Sequence, residues 1–216
     1  MNVYTLDIIL NHSILIAAVA GMVRARNILK TYYPFLFFIW LALVNETVSL
    51  FLIRYGMSNM INSNLYVLFE YLLLLYQFYK WRGYRVTTLY FFIWAGVAVW
   101  ITDNVIINQL SDPNSFFRSY ASLVLLLFSI DKMNSLIINE KGNLLRNAVF
   151  LTCTAFLLFY GCKLFVEVFH LFKAPLSNIF YDYLWMTLSV VNGISNIIYA
   201  IAVICIPTRE EFILHY

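Results

Sequence analysis

Few residues in this chain could do chemistry, and they stand out because nearly everything around them is apolar. The stretch Asn64–Trp81, NLYVLFEYLLLLYQFYKW, carries Glu70 near its middle. An ionisable group at the centre of a run that could span lipid costs about 2.5–3.5 kcal/mol on insertion scales, so it must face the bundle interior or water. Glu46 poses the same problem in the run before it, with Asn45 beside it. No basic residue lies near either carboxylate in sequence. Each therefore needs a distant partner, a bound cation or a proton.

Other polar groups recur with helical spacing. Asp182, Ser189, Asn192 and Asn196 are separated by seven, three and four residues, steps that keep them on one helix face. Arg118, Ser122 and Ser129 form a second stripe, and Tyr160, Lys163, Glu167 and His170 a third. Asn11 and His12 interrupt the first apolar run, and Asp103 closes the fourth. Stripes of this kind most simply share one cavity. The candidate ligand-binding residues are Asn11, His12, Asn45, Glu46, Glu70, Asp103, Arg118, Lys163, Glu167, Asp182, Asn192 and Asn196. Tyr66, Tyr71, Tyr160, Tyr181 and Tyr183 lie near them, as pocket lining or as packing.

Each group also has a structural use. Lys163 and Glu167 are four apart and could pair. Arg118 could neutralise Asp103 or Asp182, or snorkel to headgroups. Asn192 and Asn196 could bond neighbouring helices across Gly193, since polar residues join helices in lipid.

The elements that must position these groups follow from composition. Of 216 residues, 62% are hydrophobic and 12% charged, about half the charge of an average soluble domain. This predicts an all-α, multi-pass protein of the cell membrane (the inner membrane in a Gram-negative source), with 1–216 as one transmembrane domain. Seven spans are expected at about Leu6–Val23, Tyr33–Ile53, Ile61–Trp81, Val86–Ile107, Ser115–Ile130, Ala148–Phe169 and Ile179–Ile206. A turn at Asp112-Pro113-Asn114, a polar segment Asp131–Arg146, a loop containing Pro175 and a tail from Thr208 separate or follow them. Ala18-Val19-Ala20 resembles a signal-peptidase site. However, no base precedes the first run and Asp7, Asn11, His12 and Ser13 interrupt it, so it reads as a mature helix. Cys153, Cys162 and Cys205 all lie in apolar runs and read as free, packed thiols.

Orientation follows from the bases. Arg24, Arg26, Lys30, Lys80, Arg82, Arg85, Lys132, Lys141, Arg146 and Arg209 fall on one side, against Arg54, Arg118 and Lys173 on the other. The positive-inside rule then puts the N-terminus outside and the C-terminus in the cytoplasm. The acidic positions then sit in the outer halves of the spans, with Glu70 near the midplane. This predicts a polar cavity that opens outward and is closed toward the cytoplasm.

Several chemistries fit poorly. Glu167 and His170 make one Glu-x-x-His, where carboxylate-bridged di-iron bundles use two; His12, Glu46 and Glu70 are the only further ligands within reach of the idea. No Ser or Cys nucleophile stands in a motif with a histidine base. No lysine occurs in the seventh span to carry retinal. No basic groove suggests nucleic acid, and no motif calls for a cofactor or metal. Asn64…Glu70-Tyr71-Leu72 and Asn178…Asp182-Tyr183-Leu184 hint at parallel three-helix repeats around a linker helix, as in small transporters. The first expectation is a small-ligand sensing module that signals through a separate membrane or cytoplasmic partner. The alternative is a small-solute transporter, proton-coupled through Glu46 or Glu70, for a cationic or zwitterionic substrate. An intramembrane metal-dependent enzyme ranks third.

Overall fold

The computed structural model describes residues 3–81, 84–139, 142–172 and 177–208. Arg82, Lys141, Lys173, the Pro175 loop, Arg209 and His215 lie outside the described residues. Among the described residues, eight α-helices make up the fold: α1 (Val3–His12), α2 (Ile14–Arg24), α3 (Tyr33–Arg54), α4 (Met60–Lys80), α5 (Val86–Ile101), α6 (Ser115–Asn139), α7 (Ala148–Leu171) and α8 (Asn178–Cys205). Among the described residues there are no strands, only an isolated bridge between Ile28 and Thr208.

Among the described residues, six segments are long and apolar enough to cross a membrane: Leu6–Arg24, Lys30–Arg54, Val86–Ile107, Ser115–Asn139, Ala148–Leu171 and Ile179–Cys205. The remaining long helix, α4, has 21 residues and so reaches roughly 31 Å. Asn62, Asn64, Glu70 and Gln77, with its tyrosines, leave it without a run as apolar as those six. Those side chains need protein neighbours, and Asn64, Glu70 and Gln77 are buried.

The helices form a ring. Going round, α2 packs on α3, α3 on α4, α4 on α6, α6 on α7, α7 on α8, and α8 returns to α1 and α2. Helix α5 lies outside this ring, against α4 and α6. Gly96 lets it approach so closely that an added Cβ would sit 2.2 Å from Tyr71 Cε1. Apolar side chains cover the outside, Phe91, Trp94, Ile106 and Val23 among them, while carboxylates and amides fill the inside. This reversal suits a lipid solvent.

Three boundaries differ from the sequence expectation. The first span breaks at Ser13, whose hydroxyl donates to the Leu10 carbonyl (2.6 Å) and so competes with the backbone ladder. The α5 rod ends in a π-helical segment, Thr102–Ile107, where the wider turn brings both Asp103 and Asn104 inward. Helix α6 does not stop at Ile130. Met133, Leu136 and Ile137 keep an apolar face on the polar segment, and Leu136 is buried. At 25 residues, α6 is roughly 37 Å long, longer than the ~30 Å hydrocarbon layer.

At the far end from the N-terminus, Arg24 clasps the end of α8. Its guanidinium donates to the carbonyls of Val203 (2.9 Å), Ile204 and Ile206 (3.0 Å). These are carbonyls that a helix C-terminus leaves without intrahelical donors, at the negative pole of its dipole. Arg26, Lys30, Lys80, Arg85, Lys132 and Arg146 belong to this same basic end, tied across it by Lys132 Nζ to the Trp81 carbonyl (2.9 Å) and the Tyr84 hydroxyl to Asp131 (2.7 Å).

Candidate functional site

Glu70 sits where α4 faces α7. Tyr160 and Tyr66 donate hydroxyl hydrogen bonds to its Oε1, at 2.9 and 3.2 Å. Lys163 Nζ lies 3.3 Å from Oε2. Lys163 therefore pairs across the bundle and not with Glu167, its neighbour one turn away. Glu167 instead faces the Arg118 guanidinium at 3.8 Å. Arg118 also donates to Ser63 Oγ (2.8 Å) and Asn64 Oδ1 (2.9 Å), fixing α6 against α4. These four charges cancel in pairs.

Glu46 is different. It lies one helix over on α3, and among the described residues no ion pair engages its carboxylate, while the Asn45 side chain beside it is within hydrogen-bonding reach. His12, Asp7 and Glu70 are near enough to act on it through charge. Glu46 and Glu70 line a common chamber of about 70 Å³ with Tyr66, Tyr199, Asn11 and Asn196. Tyr199 is 2% exposed, and its hydroxyl has no hydrogen-bond partner among the described residues. A buried hydroxyl without a partner is unusual, because such groups are otherwise bonded.

A second, larger void of about 790 Å³ lies at the N-terminal end, lined by Leu6, Asp7, Leu10, Asp182, Trp185 and Ser189 among others. Asn11, Phe159 and Asn192 line both voids, so the two adjoin, and the larger is called the vestibule below. Side-chain bonds stitch α1 to α8 along this wall. Ser189 donates to Asp7, Asn192 Nδ2 to Asn11 Oδ1 (2.9 Å), and Asn196 Nδ2 to Ser13 Oγ (3.0 Å). Toward the basic end the chamber is stopped by aromatic rings. Phe35, Phe38 and Phe156 surround Tyr199 at centroid distances of 5.7 Å each, and Phe78 lies 5.9 Å from Phe156. Gln77 holds this plug, accepting from Phe35 N (2.8 Å) and donating to the Thr31 carbonyl (2.9 Å).

Of the residues the sequence singled out, Asn11, Glu46, Glu70, Asn192 and Asn196 line the chamber, Asp182 lines the vestibule only, and Lys163 reaches the chamber through Glu70. The others serve elsewhere. Asp103 caps α6, accepting from Phe117 N (2.7 Å) and Asn108 Nδ2 (2.8 Å). Asn45 joins Asn62 (2.9 Å), Ser49 and Asn59 in a cluster binding α3 to α4. His12 Nδ1 bonds the Ile8 carbonyl (2.9 Å). Arg118 and Glu167 neutralise each other. The expectation of one cavity shared by all the polar stripes thus gives way to a chamber with a vestibule and separate packed polar clusters. A single helical spacing cannot distinguish a stripe facing a void from one facing a neighbouring helix.

His170 packs its ring against Tyr181 and Trp185, at 5.4 and 5.7 Å. No group of three His, Cys, Asp or Glu side chains that could hold a metal occurs among the described residues. Sequence reasoning missed Tyr199 and Phe159, which look like ordinary packing aromatics until their neighbours are known. The short repeat match does not extend to burial. Glu70 and Tyr71 are buried, yet the matching Asp182 and Tyr183 are exposed. No family model matches the chain, and no curated protein or solved structure matches it significantly.

Proposed function

We propose that the chain is a seven-span membrane protein, N-terminus outside and C-terminus cytoplasmic, that binds a small organic cation in a pocket open to the outer side and signals through a separate partner. Counting α4 as the seventh span is supported by its length and by the burial of its polar face against α3, α6 and α7. The orientation is supported by the bases gathered at one end. The observation that carries the binding reading is Glu46. Its carboxylate is in no ion pair among the described residues, and it lines the chamber together with Glu70 and Tyr199.

Size narrows the ligand. The chamber, about 70 Å³, exceeds the roughly 10–15 Å³ that one water needs but falls far below the ~300–1,000 Å³ of a drug-sized site. It suits an ammonium head or a few waters. The vestibule, about 790 Å³, takes the apolar body against Leu6, Leu10, Phe159 and Trp185. An amine with a short hydrocarbon tail has this shape. Titration of the purified protein in nanodiscs tests it. Hexylamine should bind saturably, hexanol far more weakly, and Glu46→Gln should abolish the difference. Equal binding of amine and alcohol by the wild type would refute the reading.

One observation favours the transporter alternative. The triplets α1/α2–α3–α4 and α6–α7–α8 run in the same sense, meet edge to edge in the ring, and leave α5 outside as a connector. A further void of about 600 Å³ lies behind the aromatic plug at the basic end, as an inner vestibule would. Flux of labelled hexylamine into proteoliposomes, lost in Glu46→Gln, would select transport. Saturable binding with no flux would select sensing.

A further inference from the structure

The chamber and the vestibule together carry more negative charge than one ammonium group balances. Asp7 and Asp182 line the vestibule, and Glu46 and Glu70 line the chamber. Lys163 cancels Glu70. The other three carboxylates are in no ion pair among the described residues. Asp7 accepts from Asn11 Nδ2 (3.2 Å) and from Ser189, but both donors are neutral and leave its charge standing. Among the described residues no Lys, Arg or His side chain lines either void.

Carboxylates alone do not make a site. These line voids with an apolar wall, and they stand at successive depths. Helices α1 and α8 run in the same sense, because the bonds Ser189–Asp7, Asn192–Asn11 and Asn196–Ser13 advance together along both. Glu46 shares the chamber with Asn11. Asp7 precedes Asn11 by four residues and so lies about 6 Å farther out. Asp182 precedes Ser189, the partner of Asp7, by seven residues, about 10 Å farther out again. Leu6, Leu10, Phe159 and Trp185 line the vestibule beside them. A cleft of one charge sign with low-dielectric walls concentrates counter-ions. A metal ion would meet one level only, and no group of three His, Cys, Asp or Glu that could hold one occurs among the described residues. Charges stepped along an apolar wall match a chain in which ammonium groups alternate with hydrocarbon.

We propose that the solute bound here is a linear polyamine. Its inner ammonium sits at Glu46, the next faces Asp7, and a third, on a longer chain, reaches Asp182. Its methylene segments lie against Leu6, Leu10, Phe159 and Trp185. The proposal rests on the cation pocket described above and names its ligand.

Calorimetric titration in phosphatidylcholine nanodiscs tests it with ligands of one carbon chain. Hexamethylenediamine should bind about tenfold or more tightly than hexylamine, since it adds a charge-assisted bond at the far end. Its mono-N-acetyl derivative keeps the length, loses one charge and should fall back to the hexylamine level. Asp7→Asn should erase the advantage of the diamine over hexylamine. Spermidine, with a third ammonium, should bind about tenfold more weakly to Asp182→Asn. Asp112→Asn, which removes an exposed charge in the loop before α6, should change nothing. Should Asp7→Asn fail to fold, the diamine and its acetyl derivative on the wild type still decide. Hexylamine bound no better than hexanol would sink the pocket itself. Hexylamine bound better than hexanol, with the diamine no tighter than hexylamine, would overturn the polyamine assignment alone. Equal losses in Asp112→Asn and Asp182→Asn would also overturn it, by reducing the effect to surface charge.

Discussion

Lys163 Nζ lies 3.3 Å from Glu70 Oε2, across the bundle, although Glu167 stands one turn along its own helix. The side chains are 9% and 3% exposed, so neither charge has water to fall back on. Removing one partner of a buried pair costs about 3–5 kcal/mol because it strands the other. Lys163→Met should therefore lower thermal stability in nanodiscs steeply. The double variant Lys163→Met with Glu70→Leu should recover most of the loss. Additive losses in that double-mutant cycle would show that the two groups are not coupled.

Glu46 should behave in the opposite way. With no ion pair to its carboxylate among the described residues, Glu46→Gln removes a charge without breaking a salt bridge, and the Gln side chain can still bond Asn45. Its unfolding midpoint should match or exceed that of wild type, while hexylamine binding disappears. A large drop in midpoint would place Glu46 among the structural residues.

Asp103 separates capping from binding. Its carboxylate accepts from Phe117 N at 2.7 Å and is 0% exposed. Loss of a capping side chain costs about 0.5–2 kcal/mol. Asp103→Ala should lower stability by an amount of that order and leave amine affinity unchanged in calorimetric titration. An affinity loss at unchanged stability would return Asp103 to the binding site.

Gly96 is needed for close approach. A Cβ there would meet Tyr71 Cε1 at 2.2 Å and its hydroxyl oxygen at 2.9 Å. Tyr71 is fully buried and donates to the Phe92 carbonyl at 2.8 Å, so the ring cannot swing aside freely. Overpacking of this kind costs about 1–3 kcal/mol. Gly96→Ala should be destabilising by that order, and Gly96→Ala with Tyr71→Leu should be milder. Exposed Gly142, with open space around it, serves as the control.

Tyr84, between α4 and α5, predicts a pH dependence. Burial, then its hydrogen bond to Asp131, then that residue's charge, hold the Tyr84 phenol well above its ordinary range. A group protonated more readily in the folded state contributes stability that is full below its unfolded pKa, about 10, and is lost as pH rises beyond it. Unfolding midpoints should fall above about pH 10, and Tyr84→Phe should flatten part of that fall. A decline identical in the two proteins would exclude Tyr84 as its source.

The sequence by itself determined the rods and their polarity. Apolar runs with Arg, Lys and Asn at their ends set α3, α4, α7 and the start of α5 nearly to the residue. Helix alternation fixed that Glu46, Asp103, Lys163 and Glu167 belong to the N-terminal half. Those features are local, since a helix depends on its own residues and on the solvent that its length must match. Partner choice was not local. Whether Lys163 meets Glu167 or Glu70, whether Asp103 binds a guest or caps α6, and whether Tyr199 packs or waits for an acceptor all depend on how each helix is rotated against its neighbours. That rotation is settled by close contacts such as Gly96 on Tyr71 and by the order of helices round the ring. A stripe on one helix carries no record of either.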